Sequence, residues 1–102
     1  MSDITSLKRA VVTRVLDGKG EASPGLRRSA FENAGLDEPL RTLVDKVARS
    51  THAITDEDFA VVRAAGLSED QIYEIVVCAA IGQACRQYDQ ALQLLEAATV
   101  EK

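Results

Sequence analysis

Apolar residues recur along the chain with a helical period, and polar start and stop signals cut the pattern into about five segments. Ile4, Leu7, Val11 and Val15 fall at i, i+3, i+7 and i+11, which predicts one buried stripe on a first helix. Gly18 is placed to end that helix in a left-handed cap. After the loop GKGEA, Ser23-Pro24 offers an N-cap with proline at the first helical position. This second helix turns Leu26, Ala30 and Phe31 inward and stops at Gly35. Asp37 is expected to cap a third, with Leu40, Leu43, Val44 and Val47 on one face, ending near Arg49 or Ser50. Thr55 caps a fourth, Asp56, Glu57 and Asp58 favour the positive end of its dipole, and Gly66 closes it. Ser68-Glu-Asp-Gln71 is a capping box, and no proline follows it. The fifth helix is therefore the longest, from about Glu69 to Ala98, with Gly82 the one place for a bend. No segment reads as a strand. The expected fold class is all-α, a single domain over residues 1–102, with an N-terminal helical pair (1–36) and a helical core (37–102).

The fifth helix changes character along its length. From Ile72 to Gly82 nearly every position is apolar except Glu74, which predicts burial on all sides. Beyond Gln83 a polar side emerges, while Ala84, Tyr88, Leu92, Leu95 and Ala98 continue an apolar stripe. Four short helices can hardly cover such an element, so a homo-oligomer is expected.

Composition narrows the function classes. The 102 residues carry 46% hydrophobic, 27% charged and only 4% aromatic residues, a balance that suits a core of Ala, Val, Leu and Ile. The net charge of −4 argues against a nucleic-acid partner or an anionic membrane. The charge is uneven, since residues 1–28 hold six Lys/Arg against three acids. The beginning Met1-Ser2-Asp3 is acidic with no apolar run behind it, so a cytoplasmic, thiol-reducing setting is expected. The apolar run Ile75 to Gly82 is far shorter than the roughly 20 residues of a membrane span.

The segment HAITDEDFAVVRAAGLSEDQIYEIVVCAAIGQACRQYDQAL resembles the alkylhydroperoxidase D and carboxymuconolactone decarboxylase superfamily. The similarity lies in the capped short helix ending Ala-Ala-Gly66-Leu67, the Ser-Glu-Asp-Gln box, and a long helix entering with Ile-Tyr-Glu-Ile-Val. It implies an all-helical fold and a homo-oligomer. Peroxidase members place a Glu about a dozen residues before a Cys-x-x-Cys pair, with a His one turn later. Glu74 matches the Glu, and Cys85 can stand for the first cysteine. The pair would fall near Arg86 and Asp89, or at Cys85 and Tyr88 if the register slips by one, and the His near Gln93. The resemblance thus implies the fold without the disulfide chemistry, and no catalytic residue of the decarboxylase branch is matched.

Four residues remain as candidate chemistry. Glu74, set among Ile, Val and Tyr, must be paired, protonated or face a cavity, because a bare buried charge is too costly. Read functionally, it is a proton-handling acid in a small pocket; otherwise it reaches solvent or meets an arginine. Cys78 and Cys85 lie seven residues apart, about 10.5 Å along a helix, too far to bridge. Their spacing places them in line with Glu74 and Tyr88, so Glu74 and Cys85 are candidate catalytic residues, and Tyr88 and Cys78 candidate ligand contacts. The bland alternative is that both cysteines are small core residues. His52 stands alone, so no metal site is expected, and no feature demands a cofactor.

Two functions compete. One is an enzyme or small-molecule-binding protein with a pocket near Glu74. The other is a non-catalytic oligomeric or partner-binding module. A third reading, helix-turn-helix DNA binding through VRAAGLSEDQIYEIV, would press Glu69, Asp70 and Glu74 toward phosphates and is disfavoured.

Overall fold

The computed structural model describes the backbone of residues 2–100 and the side chains of residues 5–99; the Ile4 side chain, first of the expected stripe, lies outside the described residues. Five α-helices follow in order: α1 (Ser2–Asp17), α2 (Pro24–Glu32), α3 (Leu40–Arg49), α4 (Asp56–Ala64) and α5 (Glu69–Val100). A single 3-10 turn, Thr51–Ala53, joins α3 to α4 and carries the exposed His52. The described chain is all-helical.

Local signals account for most boundaries. The Ser23 hydroxyl accepts the Leu26 N–H, with Pro24 at the first helical position. Asn33, at φ 52°, turns the chain out of α2 in the left-handed region that asparagine tolerates. At α4, the Asp58 carboxylate reaches back to the Thr55 N–H at 2.9 Å. At α5, Ser68 and Gln71 exchange two hydrogen bonds, Ser68 N to Gln71 Oε1 at 2.8 Å and Gln71 N to Ser68 Oγ at 3.1 Å. Gly66 takes φ +106° between α4 and α5, a conformation glycine adopts without a Cβ penalty.

Three expectations are corrected. Gly18 does not enter the left-handed region; its N–H continues the helical pattern to the Arg14 carbonyl at 3.0 Å, and α1 is closed instead by a side chain from α2. Asp37 does not cap α3. Its neighbour Glu38 does, accepting the Thr42 N–H at 3.0 Å and the Thr42 hydroxyl at 2.7 Å, and these bonds hold the Glu38 carboxyl below its ordinary range. The inward face of α1 is also turned by about one residue: Val12, Val15 and Leu16 pack inward, while Leu7 and Val11 remain exposed.

The core lies where α2, α3, α4 and the first half of α5 meet. Leu43, Val44, Val62, Ile75 and Cys78 are its largest sealed side chains. α1 runs antiparallel along the outer side of α5, with Val15 opposite Cys78 and Lys8 opposite Asp89. The 32 residues of α5 reach about 48 Å, so the longest extent is 55 Å and the radius of gyration 15.6 Å. A compact chain of about 100 residues would have about 13 Å. The excess comes from the end of α5, where every side chain from Gln93 to Thr99 is exposed. The first half of α5 is not sealed all round either, since Tyr73 and Ala80 face outward. Among the described residues no helix is long and apolar enough to cross a membrane.

Candidate functional site

Glu74 meets backbone, not an arginine or a catalytic thiol. Its carboxylate accepts the Glu21 N–H at 2.8 Å on Oε2 and the Ala22 N–H at 3.2 Å on Oε1. The loop between α1 and α2 is therefore clamped to α5 by one side chain from more than fifty residues away. Gly20 is what permits the approach, because a Cβ there would overlap the Glu74 carboxylate. Gln71, one turn earlier, adds a bond from Nε2 to the Glu21 carbonyl at 3.3 Å. A partly buried carboxylate that receives two N–H groups has its acceptor oxygens satisfied without a counter-cation, which answers the problem its sequence setting poses.

Beside it lies an arginine that the sequence reading passed over. Arg27 of α2 is only 5% exposed, the one buried charged residue described. Its Nη1 donates to the Gly18 carbonyl at 2.7 Å and to the Val15 carbonyl at 3.2 Å, satisfying the open end of α1. Cys78 shares that arrangement, its thiol lying 3.6 Å from the Val15 oxygen. Burial pushes the Cys78 thiol up, Arg27 opposes the shift, and Glu74 adds to it. The thiol is held protonated, in a core setting. The signal for Arg27 in the sequence is faint. It occupies the position one turn before Phe31, on the flank of a helix whose apolar stripe otherwise accounts for burial.

Cys85 and Tyr88 sit elsewhere, at the other end of the line. They face α1 across a groove of about 410 Å³ whose walls are mostly Leu7, Val11, Val12, Ile81 and Ala84. Lys8 crosses its rim, paired with Asp89 and placed 5.1 Å from the centre of the Tyr88 ring, a cation–π distance. The hydrogen bond to Asp89 raises the Lys8 pKa above its usual value. Arg86, the cation next to Cys85 in the sequence, is engaged elsewhere. It donates to the Phe31 carbonyl at 2.6 Å and to Gln83 at 3.0 Å.

The four candidates thus share one face of α5, but α1 lies along that face and divides them into two places. Glu74 and Cys78 belong to the loop clamp; Cys85 and Tyr88 line an apolar groove. Both cysteines are free thiols, and among the described residues no three His, Cys, Asp or Glu are grouped to hold a metal. Fold and site together define an all-α protein with one protruding helix and a partly uncovered apolar face. No family model, no curated protein and no solved structure matches the chain.

Proposed function

We propose that the chain is a non-catalytic helical module that assembles with a second copy of itself through α1 and α5. The observation that carries this is the exposed apolar strip running from Leu7 and Val11, along the Ile81–Tyr88 groove, to Leu95, with Leu94 exposed on the adjoining side of α5. Leu7, Leu94 and Leu95 are 67%, 69% and 62% exposed. Leucines left in water at that density forgo about 1.5–3 kcal/mol each relative to burial. A contiguous strip of this kind marks an interaction surface.

A second copy fits that strip better than an unrelated chain. The protruding end of α5 can lie antiparallel along the same face of its twin, which makes the contact self-complementary. Its charges fit as well, with Arg9 and Arg14 exposed on α1 and Glu96 exposed on the free end of α5. The placement of Glu74 and Cys78 supports the non-catalytic part of the reading, because their polar atoms are engaged in holding α1 and its loop. The all-helical order with a long last helix also supports treating the chain as a divergent relative of the alkylhydroperoxidase D superfamily.

Sedimentation equilibrium tests the assembly. The wild-type chain is expected to be dimeric or larger at micromolar concentration, and Leu7→Asp combined with Leu95→Glu to be monomeric with unchanged helicity. A wild-type chain that stays monomeric at millimolar concentration refutes the reading.

A further inference from the structure

Arg27 has one edge that the fold does not use. Its Nη1 serves the Val15 and Gly18 carbonyls, yet Nε has no hydrogen-bond partner among the described residues. Nη1 lies on the side of the guanidinium toward the Cδ carbon, so the unserved side is the Nε–Nη2 fork. That fork is the edge that recognises carboxylates and phosphates bidentately. No described carboxylate forms an ion pair with it, although a buried charge is ordinarily paired.

Arg27 forms part of the wall of a cavity of about 220 Å³ between α1, the start of the loop and α5. By the liquid volume of a water, that is room for about seven molecules. Its charged lining is Arg14, Lys19 and Arg27 against Glu74, and the Glu74 oxygens are directed at the Glu21 and Ala22 N–H groups. Val15, Val77, Cys78 and Tyr73 make the rest of the wall, which is mostly apolar. The larger neighbouring cleft, about 930 Å³, shares Lys19, Arg27 and Glu74 with this one but adds Asp17, Glu21 and Asp70, so that acids outnumber cations there. The two cavities therefore differ in sign, and Arg27 stands between them.

We propose that the smaller cavity is a binding site for a small oxyanion, its carboxylate or phosphate head held on the Arg27 fork with Arg14 and Lys19 at the mouth. The site is built within one copy and does not depend on self-assembly. Bound there, the anion ties α1, the loop and α2 together at the point where Glu74 already fastens them to α5.

The test is a titration of the full chain with inorganic phosphate and, separately, with benzoate, followed by the NMR signal of the Arg27 Nε–H and the amides of Gly18 to Gly20. A saturable shift of the Nε–H signal with either anion is expected. Phosphate alone identifies a tetrahedral head, and benzoate alone a carboxylate whose body uses the apolar wall. Arg14 and Lys19 are exposed, so Arg14→Ala with Lys19→Ala leaves the fold intact; it is expected to weaken binding about tenfold. Arg27→Lys, which keeps the charge and loses the fork, is expected to abolish the saturable shift of the Gly18 to Gly20 amides while circular dichroism stays helical. Absence of a saturable shift with both anions at tens of millimolar overturns the proposal, as does binding that the double variant leaves unchanged. Dimer formation is read from sedimentation and not from these signals, so the two readings fail separately.

Discussion

Gly82 of α5 lies directly against the carbonyl of Phe31 in the last turn of α2. A Cβ at Gly82 would overlap that carbonyl carbon and oxygen, and backbone cannot step aside as a side chain can. The same oxygen receives Arg86 one turn further along α5. Small size at position 82 and reach at position 86 together set the distance between the two helices.

Gly82→Ala is therefore expected to destabilise the protein by about 1–3 kcal/mol despite the better helix propensity of alanine. Gly25→Ala is the control, since a Cβ there meets nothing within 4 Å. It is expected to be neutral or to stabilise by up to about 1 kcal/mol. Urea unfolding of the two variants separates packing from propensity.

Glu74→Ala leaves the Glu21 and Ala22 N–H groups without their acceptor. A loss of about 2 kcal/mol is expected, since hydrogen bonds to a charged group are the stronger kind. Hydrogen exchange locates the effect: the amides of Glu21 and Ala22 lose protection, while those of α3 and α4 change only with global stability. Unaltered protection at both amides contradicts the clamp.

The two thiols are expected to react unequally. Cys78 is buried and its thiol is pushed above its usual pKa, whereas Cys85 is half-exposed at the groove. In the monomeric Leu7→Asp, Leu95→Glu variant, where the groove is uncovered, a thiol reagent at neutral pH should label one cysteine per chain quickly and the other only at the rate of opening. Cys85→Ser should remove the fast phase, and Cys78→Ser should leave it.

Acid weakens the joint between α3 and α4. Bonds from the Thr55 N–H, then from Lys46 at 2.9 and 3.0 Å, hold the Asp58 carboxyl below its usual range. A group depressed in the folded state contributes stability above its unfolded pKa, and that contribution is lost as pH falls through the folded value. Asp58→Asn should thus lower stability at neutral pH and flatten the fall below the ordinary aspartate range. A thermal melt series from neutral to acid pH checks both.

Helix order, the Ser23-Pro24 start and the caps at Thr55 and Ser68 were legible in the chain, because caps act within four residues of their own helix. The inward face of α1 was not. Leu7 and Lys8 differ by one position, and the choice between them is made by α5, where Asp89 and Tyr88 wait for the lysine. Arg27 escaped notice for the same reason. Its carbonyl partners belong to another helix, and nothing in α2 distinguishes it from the exposed Arg28 beside it. Glu74 stood out as an acid among apolar neighbours, but its partners are backbone N–H groups of a loop, which carry no mark in a one-letter code.

Each of the first two helices is completed by a residue that comes after it. Arg27 closes α1, Arg86 closes α2, and Glu74 pins the loop between them. On a ribosome, the first third of the chain emerges long before the turns of α5 that complete it. Native structure in α1 and α2 must therefore await the synthesis of α5, and a chain released before residue 86 would keep α1 and α2 unfinished and their apolar sides open to chaperones and proteases.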